Sequence, residues 1–203
     1  MDPQITTHLP AFRKQLEKFV VFNEEEWNVF ASYLKISLVK RKDHIIEIGQ
    51  VCKEIGFIVS GSVRYYHIKD GQEITNYFCL DGEFISSYRS FIQQVPGHTN
   101  IQALEDTLLI TFTHQNIQQL LANPLTAYKM ERFGRLIAEY LICCYEDRVI
   151  SFITQTPEER YITLLESNSR LLQRIPQHYL ATYLGITPVS LSRIRKRMFE
   201  VVK

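Results

Sequence analysis

Thr187-Pro-Val-Ser-Leu-Ser-Arg-Ile-Arg-Lys-Arg197 combines the residue types and spacing that read a nucleic acid. Leu191 and Ile194 repeat at helical spacing and predict a core-facing stripe, leaving Val189, Ser190, Ser192, Arg193 and Lys196 for the outer face. A helix of this kind presents short polar groups and a fork of guanidinium donors to base edges in a major groove. Arg193 is the candidate for a bidentate contact to guanine, with Val189, Ser190 and Ser192 beside it. Arg195, Lys196 and Arg197 suit phosphate contacts, which are sequence-blind and weaken with salt.

The elements that must hold this helix are also legible. A first helix from about Gln177 places Leu180, Ala181 and Leu184 on one face, and the small Ala181 permits a close crossing. Gly185 supplies a turn residue, Thr187 a cap, and Pro188 the first helical position, where no amide hydrogen is needed. An ordinary helical hairpin with a solvated basic face shares the apolar spacing. The small residue, glycine and cap-proline stop at these offsets favour a helix-turn-helix. Charge agrees. The chain carries a net +1, yet residues 170–203 hold seven basic residues against Glu200 alone, so the body before them is mildly acidic.

With 45% apolar residues, 203 positions suffice for a large core and more than one domain. No apolar run approaches the ~20 residues needed to span a bilayer. Met1-Asp-Pro-Gln lacks the pattern of a secretion signal, so a cytoplasmic protein is expected. Cys52, Cys79, Cys143 and Cys144 show neither paired nor zinc spacing, and Cys143-Cys144 read as packing residues. Two short helices open the chain, the second from the capping box Asn23–Glu26. From about Ile36 to Thr113 short apolar-polar alternations predict some eight strands, with Asp70-Gly71 turning a hairpin. After Asn116 the pattern is helical. The stretch from Leu125 to Ile153 predicts one long helix, on which Met130, Phe133, Ile137, Tyr140 and Cys144 form a seam for a second copy, the barrel, or both. Thr156-Pro-Glu-Glu159 starts a fresh helix.

The fold class expected is α+β: an N-terminal antiparallel β-barrel of jelly-roll type, a long dimerisation helix, and an all-α helix-turn-helix domain. The boundaries expected are 1–122, 123–154 and 155–203. That order resembles the Crp/Fnr family of bacterial transcription regulators, from about Phe22 onward. Val59–Arg64, Leu80–Phe84, Ile101–Thr107 and Leu180–Lys196 carry the likeness. The resemblance implies a cyclic-nucleotide-binding-like sensor domain, a homodimer on a two-fold operator, DNA as partner, and RNA polymerase as partner of an activator. No membrane is involved.

The Gly82-Glu83-Phe84 step is similar to the start of that family's phosphate-binding cassette, so Gly82, Glu83, Phe84, Ser86, Ser87, Tyr88 and Arg89 are the candidate effector contacts. The cassette departs from the cyclic-AMP pattern. Ser86 and Ser87 stand where the family has a glycine and a ribose-binding glutamate, and no arginine occurs around Gly97-His98. Arg89 either points inward at another anion or is a surface charge. Cyclic AMP is therefore not the expected effector, and no cofactor is expected. Tyr77, Phe78, Phe84, Tyr88 and Phe91 would line the cavity or fill it. No cysteine precedes Cys52, unlike iron-sulfur members, and the histidines are scattered. Only Met198–Lys203 follow the recognition helix, too few for the family's β-wing, so a bare helix-turn-helix is expected. A cupin-like enzyme would need His-x-His with a following Glu, a motif the sequence lacks. The alternative function is a ligand-binding regulatory module acting on a protein partner.

Overall fold

The structure is a computed structural model and describes residues 3–201. Two helices, α1 (Pro3–Leu16) and α2 (Glu24–Ala31), precede the strands. Asn23 caps α2 as anticipated, its side chain accepting from the Glu26 amide while the Glu26 carboxylate accepts from the Asn23 amide. Eight strands follow among the described residues: β1 (Lys35–Val39), β2 (His44–Ile46), β3 (Glu54–Ser60), β4 (Ser62–Lys69), β5 (Gln72–Leu80), β6 (Phe84–Ile85), β7 (Asn100–Ala103) and β8 (Thr107–Thr113). The six-residue helix α3 (Tyr88–Gln93) separates β6 from β7. The sequence signal missed it because it completes fewer than two turns. Asp70 and Gly71 both adopt positive φ, 52° and 74°, as a two-residue hairpin turn with the right twist requires.

The strands form two four-stranded sheets, ordered β1-β8-β3-β6 and β2-β7-β4-β5. The first is antiparallel through Lys35↔Thr111 to Val39↔Thr107 and Glu54↔Thr113 to Phe57↔Ile110. It is covered on both faces, and the pleat sorts its side chains. Phe57, Ile110 and Phe112 belong to the main core with Phe12, Trp27 and Phe30 of the leading helices, whereas Gly56, Leu109 and Thr111 line an interior cavity. That double coverage explains why β8 reads Thr-Leu-Leu-Ile-Thr-Phe-Thr with five of its seven residues buried.

After β8, α4 (His114–Ala122) begins at a second capping box, Thr113 with Asn116, and α5 (Ala127–Thr154) runs for 28 residues. Then come α6 (Pro157–Ser167), α7 (Ser169–Arg174), α8 (Gln177–Tyr183) and α9 (Pro188–Val201). The chain divides into two compact units. One holds the residues up to Arg64 with Cys79–Ile142; the other joins Tyr65–Phe78 to Cys143 and everything after it. The division falls inside α5.

Candidate nucleic-acid interface

The second unit contains its own core of Tyr161, Leu164, Leu171, Ile175, Leu180, Ala181, Leu184, Leu191 and Ile194, all buried. Ala181 is fully covered, as a close helix crossing demands. The turn between α8 and α9 is a Schellman motif: the Ile186 amide donates to the Ala181 carbonyl at 2.9 Å and the Gly185 amide to that of Thr182 at 3.0 Å. Gly185 has φ +75°, and a Cβ there would stand 3.1 Å from the Phe152 ring. Both facts favour glycine. Thr187 then caps α9, its hydroxyl accepting from the Ser190 amide at 3.2 Å, with Pro188 at the first helical position.

The Schellman bonds leave the carbonyls of Tyr183 and Leu184 at the negative end of α8 without helical donors. Two arginines reach them. Arg160 of α6, itself buried, donates from Nη2 and Nε to the Leu184 carbonyl at 2.9 and 3.3 Å, and from Nη1 to that of Gln155 at 2.6 Å. Arg148 of α5 donates to the Tyr183 carbonyl. Its guanidinium lies 3.7 Å from the Tyr183 ring centre and 4.3 Å from that of Phe152, with Arg160 on Phe152 at 4.6 Å. Burial lowers the Arg148 pKa, opposed by Tyr183 and reinforced by Arg160. In the same unit the Thr75 amide donates to the Thr182 hydroxyl, and Phe78 packs on Tyr183 at 5.3 Å. Sequence reading missed both arginines, since each looks like an ordinary charge on an amphipathic helix.

The outward face of α9 carries Val189, Ser192, Arg193, Lys196 and Arg197, all exposed, beside half-buried Ser190 and Arg195. Leu191 and Ile194 are buried, as their spacing predicts. Two predicted contacts are already engaged. The Ser190 hydroxyl lies 3.0 Å from that of Thr187, and Arg197 Nη2 donates to the Glu158 carboxylate at 2.7 Å. Both pairs are exposed, and exchange for a phosphate oxygen costs little there.

The first part of the seam predicted on α5 turns inward. Met130 and Phe133 belong to the main core and Ile137 packs against it, whereas Tyr140 meets Phe19 at 6.4 Å with half of its surface exposed and Cys144 is half-buried. Another stripe at spacings of three and four is exposed: Ile142 (66%), Tyr145 (58%), Val149 (55%) and Ile153 (78%). At about 100° per residue it lies on the nearly opposite side of the helix. Cys143 is exposed, so it is not the packing residue that its apolar context predicts.

The cassette residues face different surroundings. Phe84 points to the main core, meeting Phe57, Phe133 and Phe12 at 5.3, 5.7 and 6.1 Å. Its neighbour Ile85 faces the cavity, with Ser86 beside it. The predicted aromatic lining is dispersed: Tyr77 meets Tyr65, Phe78 meets Tyr183, Phe91 meets His114, and Tyr88 is absent from the cavity wall. Arg89 is exposed and bonded to Gln93, so it is a surface charge. The Gly82 amide donates to Ile58 and the Glu83 amide to Leu80, while buried Ser87 sits against Gly97.

Glu83 accepts from the Leu80 amide at 2.6 Å. Burial pushes its carboxyl above the ordinary range; the Leu80 bond opposes the shift and Asp81 adds to it. A carboxyl with a raised folded pKa stabilises the fold below its ordinary pKa, and that contribution is lost as pH rises through the raised value. Glu83→Gln is therefore expected to be more stable than the parent near pH 7 and to lose that advantage near pH 4. Denaturant titrations at both pH values check this.

The geometry defines a class: a two-sheet roll, a long helix and a helix-turn-helix, which is the fold of Crp/Fnr regulators. Residues 37–123, which span most of the roll, match the cyclic nucleotide-binding domain family. No curated protein matches the chain by sequence. Among solved structures, the c-di-GMP-responsive global regulator CLP of Xanthomonas campestris is similar at 15% identity and TM-score 0.68, covering 88% of this chain and 92% of that one. FixK2 of Bradyrhizobium japonicum follows at 19% and 0.67, covering 82% and 85%. The catabolite activator protein of Thermus thermophilus is 23% identical at TM-score 0.54, covering 92% and 87%.

Proposed function

We propose that this chain is a homodimeric, DNA-binding transcription regulator acting in the cytoplasm, with RNA polymerase as a further partner if it activates. The observation that carries the reading is the exposed polar and basic face of α9, held on a helix-turn-helix whose turn is fixed by Gly185, Arg148 and Arg160. Residues 1–122 serve as the sensor, 123–154 as the dimerisation helix and 155–203 as the reading domain. Two copies meet along Ile142, Tyr145, Val149 and Ile153, and their α9 helices enter major grooves about one helical turn apart, ~34 Å. Arg193 reads a base with Val189, Ser190 and Ser192 beside it, while Arg195, Lys196 and Arg197 anchor phosphates.

Selection from random duplex DNA at moderate salt tests this. A two-fold symmetric motif is expected, and Arg193→Ala should relax one position per half-site, a loss of ~1–3 kcal/mol against the preferred base. A folded dimer that retains no duplex would overturn the proposal.

A further inference from the structure

We infer that the interior of the roll is the site for a small, uncharged, apolar effector, and not for a cyclic nucleotide. A cavity of about 480 Å³ lies between the two sheets; Ile46, Gly56, Ile85, Ile101, Leu109 and Thr111 form its inner walls, and Gln50 and Ser86 add polar groups to the lining. The cavity opens to solvent on the side of Gln50, Lys53 and Glu54, and its volume lies within the ~300–1,000 Å³ range of small-molecule sites. Four of those six walls are branched aliphatic side chains. Thr111 offers a buried hydroxyl, and the thiol of neighbouring Cys52 already donates to the Glu54 carbonyl. Charge is confined to the rim, where exposed Lys53 and Glu54 stand side by side with opposite signs.

A cyclic nucleotide does not fit this donor set. Its phosphate keeps a full negative charge, which must be met by a cation and several N–H groups once it leaves water. Among the described residues no arginine lines the cavity. Arg89 is bonded to Gln93 on the surface, and buried Arg64 gives its Nε and Nη2 to Gln102. The amides of Gly82 and Glu83 are taken by backbone carbonyls. An apolar molecule needs none of these groups. It gains by leaving water, and the aliphatic walls supply its contacts.

This inference names the effector class for the regulator proposed above, but its test uses the full chain without DNA, so the two readings fail separately. The probe is N-phenyl-1-naphthylamine, a neutral apolar fluorophore that brightens out of water. It is titrated into the parent, Leu109→Trp and Ser86→Leu, with cyclic AMP as competitor and circular dichroism to confirm folding. One saturable site per chain is expected, at least tenfold weaker in both variants and not displaced by cyclic AMP. Should Leu109→Trp fail to fold, Ser86→Leu at the half-buried edge of the cavity decides. Absent binding, titrations that both variants leave unchanged, or displacement by submillimolar cyclic AMP would each overturn the assignment.

Discussion

Val149→Glu is expected to dissociate the proposed dimer while leaving the fold intact, and Phe133→Ala to do the reverse. Val149 is more than half exposed within the chain, so a carboxylate there costs a single copy little. Across a two-fold axis the same change faces its own symmetry mate in an apolar seam, placing two like charges where water is excluded. Weakening of the dimer by at least about a hundredfold is expected. The operator affinity should fall with it, because the second head loses its effective concentration, a factor of ~10²–10⁴. Phe133 is 4% exposed and meets both Phe19 and Phe84 edge-on, at 5.8 and 5.7 Å. Its truncation leaves a cavity in the main core and should cost about 3–5 kcal/mol without changing the association constant. Sedimentation and denaturant titration on both variants separate the two roles. A dimer broken by Phe133→Ala and tolerant of Val149→Glu would restore the seam predicted from sequence.

Arg160→Ala should cost the reading head about 3 kcal/mol and remove operator binding. Three hydrogen bonds vanish, and the buried Leu184 carbonyl loses both of its arginine donors. The same carbonyl sits at the turn that sets the angle of α9 to α8. Arg160→Lys should recover less than half of the loss, since a single ammonium cannot bridge the Leu184 and Gln155 carbonyls as a planar fork does. Hydrogen exchange at Ile186 reports the turn directly through its bond to Ala181. Arg193→Ala makes the contrast: it should alter base preference while leaving this protection and the melting transition unchanged. If Arg160→Ala exchanged no faster at Ile186 than the parent, the arginine would not be holding the turn.

Local chemistry decided much of this protein before any tertiary contact formed. The capping boxes at Asn23 and Thr156, the Asp70-Gly71 turn, the glycine at 185 and the Thr187-Pro188 start of α9 all appear where the sequence places them, because each is settled within a few residues. Strand alternation and helical periodicity likewise announced a roll, one long helix and a helix-turn-helix. What periodicity does not carry is which of two apolar faces meets which neighbour. Phe84 and Ile85 are adjacent and both apolar, so only the pairing of Phe57 with Phe84 and Gly56 with Ile85 sends the first to the helical core and the second to the cavity. On α5, two stripes satisfy the same three-and-four spacing, and the packing of α1 and the first sheet claims Met130 and Phe133, leaving Ile142 to Ile153 outside. The clamp is the extreme case. Arg148 and Arg160 lie 35 and 24 residues from the carbonyls they bind, and no local pattern encodes a partner at that distance. By itself the sequence determined the elements, their caps and the basic face of α9, which depend on neighbours in the chain; the tertiary structure alone decided the cavity, the outer stripe and the arginine clamp, which depend on which surfaces the fold brings together.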